Sequence, residues 1–152
     1  MRLYKLTDAQ GRTHGDTQWG EGVTHTASGE GEICGPGWIH AYTSPRLAFL
    51  LNPIHANFPE PQLWEANGEV GKTDHGLKVG CRHLTTIHRL ATEAMSTEQR
   101  VRFGILCALA VYAEPSFVHW ARSWLDGTQK SEAAAWAAGA AAAAWAAAAA
   151  GA

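Results

Sequence analysis

The first signal along the chain is an alternation. Over Arg2–Thr7, Leu3, Lys5 and Thr7 fall on one side of a strand and Arg2, Tyr4 and Leu6 on the other. The turn residues Asp8-Ala9-Gln10-Gly11 follow. Residues 13–37 are rich in Gly, Thr, Glu and His. Short strands are expected around Val23-Thr24-His25 and Ile33-Cys34, with turns between, because glycine weakens a strand interior. Residues 38–42 read as a further strand. Ser44 then offers an N-cap and Pro45 a first helical position, with Leu47, Ala48, Leu50 and Leu51 facing inward. Asn52-Pro53 is expected to end that helix, since the residue before a proline avoids the α region. Two strands, 63–70 and 77–90, follow, with residues 71–76 as the turn between them.

The pattern then changes period. Ser96-Thr97-Glu98-Gln99 fits a capping box, and Val101, Ile105, Ala108, Leu109 and Tyr112 recur at helical spacing. Glu114-Pro115 breaks this helix. A second carries Phe117, Trp120, Ala121 and Trp124 inward and closes at Gly127. The expected class is α+β: a mostly antiparallel β region with one short helix, then helices. Residues 1–127 read as one domain, β-rich over 1–90 and helical over 96–126. Residues 131–152 read as a separate alanine-rich helix, capped at Ser131-Glu132. A helix turns about 100° per residue, so Trp136 and Trp145 would point to opposite sides. Such a tail is either an exposed or loosely docked helix, or one that packs between two surfaces. In the second case the two tryptophans would join copies of the chain into a homo-oligomer.

Composition changes this picture little. The chain has 152 residues and a net charge of -2, so no global field for nucleic acid or anionic membrane exists, and neither is an expected partner. Residues 133–152 lack charge, but alanine is only marginally apolar and no basic flank is present, so a membrane span is not expected. Charge is nonetheless uneven. Residues 13–69 hold Arg46 alone against seven acids, and residues 72–102 reverse the bias with Lys72, Lys78, Arg82, Arg89, Arg100 and Arg102. The two halves would attract each other, or the basic strip would meet phosphate or an acidic partner. Cys34, Cys81 and Cys107 are scattered, which argues against a disulfide framework, and Cys107 reads as core. No signal-like apolar run opens the chain, so a reducing cytoplasm is the expected location.

Candidate chemistry follows from strand periodicity. Trp38, His40 and Tyr42 share one face of their strand, with Ile39 and Ala41 on the core side. That face could stack a flat ligand, or lie under the glycine-rich loop with His40 satisfied by backbone. Lys78 and Arg82, four apart, read as one basic face suited to a phosphate or partner. Glu65 and Glu69 share a face as an acid pair, or as solvated strand carboxylates. The histidines and cysteines reproduce no CxxC or HExxH spacing, so no metal site is expected. A structural zinc on Cys34, Cys81 and histidines is the alternative. No cofactor is called for by any motif.

The run Gly31-Glu32-Ile33-Cys34-Gly35-Pro36-Gly37-Trp38-Ile39-His40-Ala41, with Leu63-Trp64-Glu65-Ala66-Asn67-Gly68-Glu69-Val70 and the basic strand Leu77-Lys78-Val79-Gly80-Cys81, resembles an uncharacterised domain family of phages and prophages. The resemblance spans about residues 1–90. It implies a phage accessory protein acting inside a bacterial host. The first expectation is that it binds and inhibits or redirects a host protein, a defence factor among the candidates, through the face with Trp38, His40 and Tyr42 and the basic strand with Lys78 and Arg82. A weaker resemblance is to ADP-ribosyltransferases, carried by residues 37–42, Thr43-Ser44, Ala48 and Phe49. It implies an NAD-binding cleft with His14-Gly15 on the ribose, Tyr42 on the nicotinamide and Glu65 or Glu69 as the acid. A structural phage protein that assembles through its tail is the third expectation.

Overall fold

The computed structural model describes residues 1–91 and 95–129. The alanine-rich segment lies outside them, and with it the expectations for Trp136 and Trp145. The chain falls into two compact units, Met1–Met95 and a second that begins at Ser96. The class is α+β, with antiparallel strands first and helices after.

The first unit is built on one long hairpin, β6 (Gln62–Asp74) with β7 (Lys78–Leu90). Strand β1 (Arg2–Thr7) pairs antiparallel with β6, setting Leu3 opposite Ala66 and Tyr4 opposite Glu65. The other edge of β7 takes two short strands in turn. Strand β5 (Ile39–Ala41) sets Ile39 opposite Cys81, and β4 (Thr24–Thr26) sets Thr24 opposite Thr85. Tyr4 and Tyr42 then exchange both backbone hydrogen bonds, each 2.8 Å. That exchange joins the end of β5 to β1, so β1, β6, β7 and β5 close on themselves. Leu3, Trp19, Ala41, Ala66, Val79, Cys81 and Leu84 form the core, with Ile39 and Val70 packed on it. Each large apolar side chain there gains about 1.5–3 kcal/mol from leaving water.

A two-residue hairpin, β2 (Arg12–Thr13) and β3 (Thr17–Gln18), flanks this sheet. Its tip is a 3-10 turn, His14–Asp16. Helix α1 (Pro45–His55) packs against β1 and buries Ala48, Leu51 and Asn52.

Three expectations for this unit's elements are corrected. Helix α1 does not stop at Asn52-Pro53 but runs through Pro53 to His55. Its end is instead set by Asn52: the backbone carbonyl accepts from Ala56 and Asn57, and the side-chain amide closes onto both backbone groups of Phe58. Residues 71–74 are strand, leaving only His75-Gly76-Leu77 as the turn. Gly71 serves packing, since a Cβ there would lie 2.5 Å from the Trp38 ring. Ile33-Cys34 is a turn in a loop draped over β5. Trp38 Nε1 and Lys72 Nζ both donate to the Gly31 carbonyl, at 3.1 and 2.8 Å, and His40 donates to Ile33.

The second unit is a helical hairpin. Helix α2 (Thr97–Val111) starts with the reciprocal Ser96–Gln99 capping box, as the sequence implies. Helix α3 (Pro115–Leu125) is capped by the Glu114 carboxylate, which accepts from the amides of Ser116 and Phe117. Ile105, Ala121 and Trp124 are its buried centre, with Val101, Leu109, Phe117 and Trp120 around them. Cys107 is exposed rather than core, because Ile105 and Leu109 take the packed side of α2.

Candidate functional site

One cavity of about 430 Å³ opens within the first unit. Strand β1 contributes Lys5 and Leu6, the β2–β3 turn region Thr13 and His14, and β5 and its end His40 and Tyr42. Helix α1 and the loop after it add Ile54, His55, Ala56 and Phe58, the draped loop adds Cys34, and β7 adds Lys78.

Its two lysines set its character. Lys5 is 8% exposed and Lys78 7%. The Lys5 Nζ donates to the His40 carbonyl at 2.8 Å and sits 5.0 Å above the Trp19 ring. The Lys78 Nζ donates to Cys34 Sγ at 3.1 Å. Among the described residues the ion pairs involve Arg2, Arg12 and Lys72, never these two, and no carboxylate lines the cavity. Removing a charge from water without a counter-ion is costly, and the cost appears at Lys5, which burial pulls down to about 8.

Three further lining groups, His40, His55 and Tyr42, are neutral at pH 7. Burial holds His40 and His55 below the ordinary histidine value, and the nearby Lys78 pushes both the same way. Burial pushes the Tyr42 phenol up to about 12. Tyr42 Oη and His55 Nδ1 are 3.1 Å apart with their rings stacked, and His14 faces Phe58 at 6.3 Å between centroids. The cavity therefore combines two amine cations, neutral imidazoles and a phenol, with apolar walls from Leu6, Ile54 and Phe58.

Of the residues the sequence singles out, His14, His40, Tyr42 and Lys78 converge here. Trp38 does not line the cavity; its indole lies across Gly71 and Gly80. Arg82 is exposed beside Gly29 and does not join Lys78. Pairing slips between Gly68 and Val70 opposite the Cys81–Leu84 stretch, and the consecutive Arg82 and His83 both face solvent, so the four-residue spacing no longer keeps one face. Glu65 is opposite Tyr4 and ion-paired to Arg2 at 3.2 Å, and Glu69 is exposed; neither reaches the cavity. Sequence reasoning missed Lys5 and His55. The available signal for Lys5 was its place between Leu3 and Thr7 on the inward side of β1. His55 became reachable only because α1 continues past Pro53.

Among the described residues no group of three or more His, Cys, Asp or Glu is placed to hold a metal ion, and no helix is long and apolar enough to cross a membrane. No family model, curated protein or solved structure matches this chain.

Proposed function

We propose that the first unit is a binding module that takes a small anionic group, a carboxylate or phosphate, into the cavity between Lys5 and Lys78. The observation that carries this reading is the pair of lysines, each more than nine-tenths buried, on a cavity without a carboxylate. An anion would give these cations a Coulombic partner inside the cavity, in surroundings where the interaction is strong. Tyr42 and the imidazoles of His40 and His55 would complete its hydrogen bonding.

The test is thermal unfolding of the full chain in phosphate or succinate against chloride at equal ionic strength. A ligand at a hundred times its Kd stabilises by about 2.7 kcal/mol. We expect a rise in Tm that Lys78→Met removes; an equal Tm in all three salts sinks the reading.

The phage resemblance suggests a host protein as the source of the anionic group. A host partner would present an acidic side chain to the cavity, and Lys78→Met would lose partners that the wild type retains from a bacterial lysate. A second reading, an NAD-using transferase, is favoured by one observation: His14 and Tyr42 line the same cavity. It lacks its acid there, since Glu65 and Glu69 lie elsewhere. Label from NAD transferred to lysate proteins, and lost with Tyr42→Ala, would reinstate it.

A further inference from the structure

A buried lysine amine can do more than attract an anion. We infer that Lys5 is a nucleophile that forms an imine with a small anionic carbonyl compound, an aldehyde or ketone bearing a carboxylate or phosphate held by Lys78. This rests on the anion-binding reading and adds a covalent step to it.

The geometry supports the step at each stage. Lys5 lines the cavity, and its Nζ is fixed by the His40 carbonyl at 2.8 Å and by the Trp19 ring, whose centroid is 5.0 Å away. Desolvation holds its pKa at about 8, so roughly a tenth of the amines are free base at pH 7, against well under a thousandth for an exposed lysine. The neutral amine adds to the carbonyl carbon. A C–N bond forms, and the oxygen takes the proton that nitrogen sheds. The C–O bond of this carbinolamine then breaks and the oxygen leaves as water, with a second proton drawn from bulk solvent. Tyr42 and His55, hydrogen-bonded at 3.1 Å, are placed on the same wall to relay it. The product is a protonated imine and one water, with no oxidant or reductant required. Its N–H retains a donor for the His40 carbonyl, so the link does not leave that buried acceptor unsatisfied.

Lys72 provides an internal comparison, engaged at the surface with Gly31 and Glu32. The experiment incubates the full chain with pyridoxal phosphate, or with pyridoxal lacking the phosphate, and reduces the adduct with cyanoborohydride. Peptide mass mapping then locates the label. We expect Lys5 to be labelled at least tenfold faster than Lys72, and faster by pyridoxal phosphate than by pyridoxal. Lys78→Met should erase the difference between the two aldehydes while Lys5 remains the labelled residue. Tyr42→Phe, which keeps the ring, should slow the reaction without moving the label. Labelling of Lys5 no faster than Lys72, or of Lys78 in its place, overturns the inference even where phosphate still raises Tm. Equal labelling of Lys5 by both aldehydes overturns the anionic substrate class, and with it the reading on which the inference rests.

Discussion

A lysine held 8% exposed has lost most of its hydration, and the loss should register in the pH dependence of folding. Lys5 titrates near 8 in the folded chain and near 10.5 when unfolded. Between those values the unfolded state binds more protons, so stability rises with pH. The buried Cys81 thiol acts oppositely. Burial raises it to about 11, so the fold keeps a proton that the unfolded chain sheds above pH 9, and stability falls there. Tyr42, at about 12, has the same sign at still higher pH. Lys5 thus dominates between pH 8 and 9, with a gain of about 1 kcal/mol over that interval. Urea melts of wild type and Lys5→Met across this range should show the rise in the first and not in the second; parallel curves would mean that Lys5 is not desolvated. A steric prediction belongs at the same scale. In Gly71→Ala the new Cβ would lie 2.5 Å from the Trp38 ring, inside any real contact distance. The indole cannot retreat, because Gly80 lies against it as well. The substitution should cost about 1–3 kcal/mol by overpacking, read as a lower urea midpoint.

At the scale of elements, what could be foreseen divides by range. The Ser96–Gln99 box and the Glu114-Pro115 break are decided within four residues, and both are where the sequence puts them. Strand β1 is equally local. The end of α1 was not legible, because it depends on Asn52 reaching six residues ahead to Phe58, which outweighs the missing N–H of Pro53. The draped loop was legible only as an alternative. Its glycines suggest turns, but the Gly31 carbonyl is fixed by Trp38 and Lys72 from elsewhere in the fold. The candidate site follows the same division. His40 and Tyr42 emerge from strand period, whereas Lys78 is separated from Arg82 by a slip in pairing that no spacing rule announces. Asn52 makes the element-scale prediction definite. Asn52→Ala removes both side-chain bonds to Phe58 and should cost about 1–3 kcal/mol. It should also release the wall carrying His55 and Phe58, and so weaken phosphate binding in a titration followed by fluorescence. Unchanged affinity at reduced stability would show that this wall does not shape the site.

For the whole molecule, the arrangement of charge and the arrangement of contacts point the same way. The net charge is -2, so long-range attraction of anions is weak, and selectivity must come from Lys5 and Lys78 inside the cavity. Every residue lining that cavity lies between Lys5 and Lys78, within the first compact unit. The pairings that close the sheet, from β1 through β6 and β7 to β5 and back by Tyr4 and Tyr42, are also internal to it. The α2–α3 hairpin has its own centre in Ile105, Ala121 and Trp124. A chain cut after Met95 should therefore fold without the helices. It should give a cooperative thermal transition by circular dichroism and bind phosphate within about threefold of the full chain, a difference under 1 kcal/mol. Loss of the transition would show that the helices complete the sheet's core. A retained transition with binding lost would show that the helical unit governs access to the lysines.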